Sequence, residues 1–153
     1  MSTFSELNDD LFVREVLWRE LPEGRSRIVE LEEEQRRRAV EVKEDERRLA
    51  IDLGSEDIGD LHMYELASDV LVYGALERLL AAEEPDEELA LRCSRVIELL
   101  LGSGRPGVTQ MVSIRITDYL LGYIEPWLRF KEFAGPHLRA EVESRKQYYT
   151  GPF

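Results

Sequence analysis

The chain has 153 residues, of which 32 are acidic and 20 basic, so its formal net charge is −12. With 43% apolar and 34% charged residues, the composition is that of one globular domain rather than of a disordered chain. A single cysteine, no secretory start and no apolar run of about 20 residues lead us to expect a soluble cytoplasmic protein without an internal disulfide.

The N-terminal third predicts two helices. Over residues 9–21 apolar side chains recur at helical spacing, with Asp9 or Asp10 as the cap and a proline and a glycine as the stop. Residues 26–38 predict a charged helix in which three glutamates each precede an arginine by four residues, the favourable order on a helix surface. The glutamates are Glu32, Glu33 and Glu34, and the arginines are Arg36, Arg37 and Arg38.

Residues 39–53 fit two structures. Val40, Val42, Leu49, Ile51 and Leu53 alternate with polar residues, as in a small β-hairpin. The same segment also carries a thin apolar stripe at helical spacing. We favour the helix and keep the hairpin as the alternative.

The remaining segments predict helices over 61–82, 89–101, 108–123 and 136–148, separated by glycine and proline. Tyr73, Tyr119 and Tyr123 fall on the apolar stripes of these helices, whereas Tyr148, Tyr149 and Phe153 suggest an exposed aromatic edge. We therefore predict an all-α, single compact bundle-like domain of five to seven helices over 1–153, with residues 1–8 and 150–153 frayed.

The negative charge is concentrated in one segment. Residues 54–91 contain eleven acidic residues and one basic residue, Arg78. Such a field attracts basic surfaces and repels nucleic acid and anionic lipid, so we expect a basic protein partner and neither nucleic acid nor membrane. Ten of these eleven acidic residues are the predicted partner-binding residues: Glu56, Asp57, Asp60, Glu65, Asp69, Glu83, Glu84, Asp86, Glu87 and Glu88.

Catalytic and metal motifs are weak in this sequence. His62, Glu65 and Asp69 share one helical face, but a carboxylate-bridged metal bundle would require a matching set, and the second histidine, His137, has only Glu141 nearby. Cys93 lies among apolar positions, where a lone cysteine is usually packing. We expect no enzymatic activity, no metal and no cofactor.

Part of the chain resembles a family of small, acidic, all-helical bacterial proteins of uncharacterised function. The resemblance spans residues 61–143 and is carried by Leu61-His62-Met63, the apolar helix after Pro85, the helix over 112–121 and the closing Gly135-Pro136-His137-Leu138-Arg139-Ala140-Glu141. Some members of that family are thought to be immunity proteins of toxin systems, which implies binding rather than catalysis.

Three hypotheses follow. The first is an immunity-type or inhibitor protein that docks on a basic partner, such as a toxin domain, and blocks it. The alternative is a scaffold or regulatory module that forms a homodimer through the charged helix or the aromatic edge, without a basic partner. A metal-binding enzyme is the third and weakest hypothesis.

Overall fold

The computed structural model of the chain describes residues 6–49 and 61–153. These residues form seven helices and no strand, which confirms the all-α prediction. The helices are α1 (Asp9–Glu20), α2 (Arg25–Leu49), α3 (Met63–Leu66, Ala67–Leu76 and Glu77–Ala81 in direct succession), α4 (Glu87–Leu101), α5 (Pro106–Val112, Ser113–Thr117 and Asp118–Gly122), α6 (Glu125–Phe130) and α7 (Pro136–Arg145). None of them is both long enough and apolar enough to cross a membrane.

The predicted hairpin is not seen, because residues 39–49 belong to α2. The segment 43–48 contains no glycine, proline or asparagine that would favour a tight turn, so the charged helix continues through it. The remaining part of the ambiguous segment, 50–53, lies outside the described residues. Of the predicted glutamate–arginine pairs, Glu34 and Arg38 are 3.6 Å apart, whereas Glu32 lies 3.1 Å from Arg14 of α1.

The start of α1 differs from the prediction. Asn8 caps the helix by accepting a hydrogen bond from the Leu11 amide at 2.9 Å. Asp9 instead pairs with Arg105 at 3.0 Å, and Asp10 accepts a hydrogen bond from the Met63 amide at 2.9 Å. The two carboxylates therefore connect α1 to the beginnings of α5 and α3.

Helix α4 lies at the centre of the domain and packs against α1, α3, α5 and α7. Its inward face is fully buried at Ala90, Cys93, Val96, Ile97 and Leu100. Burying a large aliphatic side chain stabilises a fold by about 1.5–3 kcal/mol, so this face is a principal source of stability. The helix ends near Gly102, and Gly104 takes the left-handed conformation with φ of 72°.

Two helices contain a wide, π-helical stretch. In α3 the amide of Glu77 donates to the carbonyl of Val72, and in α5 the amide of Asp118 donates to that of Ser113, five residues back in each case. Such a turn breaks the i, i+3, i+4 repeat. Tyr73, predicted on the buried stripe three residues after Val70, is consequently 62% exposed.

Candidate partner-binding surface

Five carboxylates crowd the connection between α3 and α4. We call this set the acidic turn, and it consists of Glu83, Glu84, Asp86, Glu87 and Glu88. All five residues are exposed. Asp86 caps α4 by accepting a hydrogen bond from the Leu89 amide at 3.2 Å, and the next two glutamates occupy the first helical turn. Negative charge is favoured there by the exposed helix amides, so the helix start itself accommodates three of the five acids.

Arg129 of α6 fixes the other side of the acidic turn. Its guanidinium donates hydrogen bonds to the carbonyl oxygens of Leu80, Ala82 and Glu83, with 2.6 Å to that of Ala82. Carbonyls at the C-terminus of a helix lack intrahelical partners, and a cation is favoured beside them. Arg129 therefore holds in place the backbone that carries the acidic side chains.

A second arginine borders the acidic turn on α4. The Nε atom of Arg92 lies 3.1 and 3.0 Å from the two carboxylate oxygens of Glu23. Burial acts to raise the pKa of Glu23, but the hydrogen bonds and charge of Arg92 outweigh it and lower that pKa overall. The pKa of Arg92 is raised first by its hydrogen bonds with Glu23 and further by the charges of Glu88 and Asp86. Arg92 therefore offsets part of the negative charge of the acidic turn, which still has five carboxylates.

The other predicted binding residues are not gathered with the acidic turn. Asp69 is 3.5 Å from Arg27, which also pairs with glutamates of its own helix. Glu65 lies near the start of α3, roughly 25 Å along the helix from the acidic turn. The three remaining residues, Glu56, Asp57 and Asp60, lie outside the described residues.

An exposed leucine lies beside the acids. Leu91 is 58% exposed and follows Glu87 and Glu88 by four and three residues on α4. Residues at this spacing share one face of a helix. Leu91 therefore presents an exposed apolar side chain on the same helix face as Glu87 and Glu88, where it is a suitable anchor for a partner.

A groove runs between α3 and α5, which lie side by side in the same direction. Two adjoining pockets of about 470 and 440 Å³ form it, and they share Tyr119 and Tyr123. We call it the tyrosine groove, and its principal lining residues are Val72, Tyr73, Glu77, Tyr119, Tyr123 and Glu125. Its second pocket is also lined by Arg129, the residue that holds the acidic turn. Groove and turn thus form one continuous surface.

The sequence patterns missed the tyrosine groove. Tyr123 was expected on the buried face of α5, but this helix ends at Gly122 and leaves Tyr123 83% exposed. The one available signal was Pro126, because a proline at the start of α6 requires the preceding helix to end first. Nothing in the sequence signalled the wide turn that exposes Tyr73.

The aromatic edge is only partly present. Tyr148 is 71% exposed, as predicted. Tyr149 instead donates a hydrogen bond to Asp118 at 2.9 Å, and Phe153 packs against the core. Tyr149 and Phe153 therefore pack onto the domain and do not form part of an exposed aromatic edge.

The histidines have structural contacts. His62 caps α3 by accepting a hydrogen bond from the Tyr64 amide at 3.3 Å, and its ring stacks on that of Tyr64. His137 contacts Glu98 at 3.2 Å, whereas Glu141 accepts from the Ser113 hydroxyl at 2.6 Å. Within 6–49 and 61–153, no group of three or more His, Cys, Asp or Glu residues is placed to hold a metal ion.

Cys93 packs in the core, as its position among apolar residues predicts. Its side chain is inaccessible to solvent. Burial, with a smaller contribution from the charge of Glu23, raises the pKa of the thiol to about 12. The thiolate required of a nucleophile is therefore strongly disfavoured at neutral pH.

No protein family, curated protein or solved structure matched this chain.

Proposed function

We propose that the chain is a non-enzymatic acidic binding protein of the immunity or inhibitor type, which docks on a basic partner protein and blocks it. The observation that supports this proposal is the acidic turn, in which five exposed carboxylates project from a backbone held by Arg129 and by the start of α4. A surface that is ordered before binding loses little conformational entropy when its partner arrives. The family resemblance agrees with a binding role.

The charges of the acidic turn act first on the rate of association. Clustered carboxylates attract a cationic surface over a Debye length of about 8 Å at physiological ionic strength, and they repel wrong partners of like charge. Toxins that act on nucleic acids or nucleotides carry basic substrate grooves, and an acidic protein that enters such a groove excludes the substrate. Leu91 supplies apolar contact beside the acids.

The test begins with the neighbouring open reading frame, and if that frame encodes a basic domain, this domain serves as the partner. Association is measured by surface plasmon resonance over a range of NaCl concentrations. A fourfold variant of the acidic turn, Glu83→Gln, Glu84→Gln, Glu87→Gln and Glu88→Gln, should associate about tenfold or more slowly and with a weaker salt dependence. Asp86 stays unchanged because it caps α4.

The matched control removes the same number of charges elsewhere, by replacing Glu33, Glu41, Glu44 and Glu132, all exposed, with glutamine. This control should associate at nearly the rate of the unaltered protein. Equal slowing by both variants would assign the effect to net charge and reject the acidic turn as the docking site. Failure of the unaltered protein to bind the basic domain would count against this choice of partner.

The second candidate function, a homodimerising scaffold, is supported by helix α2. Val40 and Val42 are 57% and 48% exposed, on a part of the helix that lies beyond the buried Ile28 and Leu31. Light scattering after size-exclusion chromatography tests it. A dimeric mass that falls to the monomer value in the Val40→Asp and Val42→Asp double variant would support the scaffold, and a monomeric unaltered protein would reject it.

A further inference from the structure

The tyrosine groove exposes aromatic surface that the fold itself does not use. Tyr123 and Tyr73 are 83% and 62% exposed, and Tyr119 lies half-buried between α3 and α5. Tyrosine is enriched in the centres of protein interfaces, because a large rigid ring contributes contact area at a small cost in side-chain entropy. An aromatic groove contiguous with the acidic turn therefore belongs to the same binding surface.

Two carboxylates flank the groove where it approaches the acidic turn. Glu77 and Glu125 are exposed, and the carboxylate of neither makes a hydrogen bond or ion pair with another described residue. Glu77 is close enough to act on Tyr119, whose pKa is raised first by burial and then by the charge of Glu77. Arg129 also lines this end and keeps its positive charge, because its hydrogen-bond acceptors are neutral main-chain carbonyls. The two carboxylates outnumber this cation.

The opposite end of the groove carries one basic and one acidic side chain, Arg115 and Asp118, and so has no excess negative charge. Arg115 lies there with its guanidinium carbon 5.4 Å from the centre of the Tyr64 ring. Asp118 accepts a hydrogen bond from Tyr149 and is also part of this end. A cationic ligand is therefore favoured at the end between Glu77 and Glu125.

The backbone between two of the groove residues is strained. Ile124, which separates Tyr123 from Glu125, has φ of 59°, and this conformation is unfavourable for a β-branched residue. The Ile124 side chain packs against the core, which keeps this conformation in place. Strain of this kind concentrates at binding sites, where the surrounding structure imposes it.

We infer that the tyrosine groove binds an arginine side chain of the basic partner, with the guanidinium against Tyr119 and Tyr123 and between the carboxylates of Glu77 and Glu125. The inference rests on the proposed function and adds the residue type that the surface recognises. A guanidinium stacks on aromatic faces and pairs with carboxylates in a planar geometry, which the compact ammonium of lysine does not match. Arginine is therefore preferred over lysine.

The test uses three capped octapeptides in which glycine alternates with arginine, with lysine or with citrulline, the uncharged isostere of arginine. Binding to the full chain is followed by ¹H–¹⁵N NMR at low salt. We expect saturable shifts of the Tyr119, Tyr123 and Glu125 amides with the arginine peptide, about fivefold weaker binding of the lysine peptide and no detectable binding of the citrulline peptide. Arginine and lysine peptides of equal affinity would overturn the inference.

Variants locate the arginine site. Tyr123→Ala, and separately the Glu77→Gln and Glu125→Gln pair, should each weaken the arginine peptide about fivefold or more. Tyr148→Ala is the matched control, because Tyr148 is similarly exposed but lies outside the groove, and it should change nothing. All replaced residues are exposed, and circular dichroism verifies that each variant is folded.

The pattern of losses separates the two proposals. If only the fourfold variant of the acidic turn weakens the arginine peptide, the acidic surface stands and the arginine site in the groove is rejected. If only the groove variants weaken it, the arginine site stands, and the acidic turn is judged by the association rate of its fourfold variant alone. If the arginine peptide does not bind, the inference is overturned, whereas the proposed function is still decided by the association rates of the acidic-turn variant and its control with a basic partner domain.

Discussion

Glu98 of α4 caps the first turn of α7 through Leu138, whose amide donates to the carboxylate at 2.9 Å. The other carboxylate oxygen accepts from the amide of His137 at 2.9 Å and lies 3.2 Å from its ring Nδ1. A carboxylate in this position satisfies helix amides that have no intrahelical partner and complements the helix dipole. The Gly-Pro-His-Leu segment therefore has a structural role, namely to join α7 to the central helix.

Replacing Glu98 should destabilise the domain. Glu98→Ala leaves two amides of α7 without their acceptor, and we expect the free energy of unfolding to fall by about 1–2 kcal/mol. Urea denaturation followed by circular dichroism measures the change. The control is Glu132→Ala, which removes an exposed carboxylate on the neighbouring 3₁₀ turn and should alter stability by less than about 0.5 kcal/mol.

Gly135 should be sensitive to the same carboxylate. A Cβ atom there would lie 2.4 Å from Cδ of Glu98, so Gly135→Ala forces the two apart and should cost about 1–3 kcal/mol. The double variant with Glu98→Ala removes the obstructing group. Its loss of stability should therefore be smaller than the sum of the single losses, and strict additivity in a double-mutant cycle would show that the two residues do not interact.

Cys93 gives the domain a specific alkaline pH dependence. Its pKa rises from 9.0 in the unfolded reference to about 12 in the fold. Above pH 9 the unfolded chain loses the thiol proton while the folded chain keeps it, so the stabilisation present below pH 9 declines as the pH rises, by at most about 1.4 kcal/mol per pH unit.

The measurement compares urea unfolding of the unaltered protein and of Cys93→Ala between pH 8 and pH 10.5. The variant is less stable throughout because of the cavity it creates, but its slope with pH should be shallower. Parallel slopes would contradict the assigned burial. Cys93 of the native protein should also react with a thiol reagent far more slowly than that of the urea-unfolded chain.

Arg129 should contribute both stability and local order. Arg129→Met leaves the carbonyls of Leu80, Ala82 and Glu83 without a charged donor, and we expect a loss of about 1–2 kcal/mol. Amide hydrogen exchange should accelerate over residues 83–86. Arg78→Met is the control, since the Arg78 side chain is exposed and makes no hydrogen bond or ion pair with another described residue. Unchanged exchange in Arg129→Met would contradict the role given to Arg129.

Two glycines of the groove helices should respond to alanine in opposite directions. At Gly74 a Cβ would lie 2.8 Å from the carbonyl oxygen of Asp69, whereas at Gly122 it would meet nothing within 4 Å. Gly74→Ala should therefore destabilise the domain by about 1 kcal/mol or more. Gly122→Ala should stabilise it by about 0.5 kcal/mol or more, because alanine restricts the unfolded chain. Melting temperatures that shift in the same direction would contradict this comparison.

The sequence patterns located most of the helices, but they predicted no separate helix over Glu125–Phe130 and missed the tyrosine groove. Apolar periodicity located α1, α4 and α7 within a few residues, because each of them keeps the 3.6-residue repeat on which such patterns depend. The same patterns failed at Tyr73, where the repeat itself changes, and at Tyr123, which lies just past the end of α5. The pattern of apolar residues does not reveal whether a helix amide bonds to the carbonyl four or five residues back.

The acidic residues show a second feature that the sequence alone did not predict, namely which surface charges are paired. Composition identified an acid-rich segment, and five of its members do lie together in the acidic turn. Composition did not reveal that Asp69 is neutralised by Arg27, because these residues are 42 positions apart. It also gave no indication that Arg92 is committed to Glu23. Charge balance on a surface depends on which helices become neighbours.

The wide turns of α3 make the length of that helix important. A helix that bonds each amide to a carbonyl five residues back holds more residues per turn than an α-helix does. Deleting one residue within 67–76 would rotate the following segment by about 100° relative to the preceding one. Glu77 and Leu80 would then leave the groove even though no lining residue had been substituted. Insertions and deletions should therefore be selected against within this stretch.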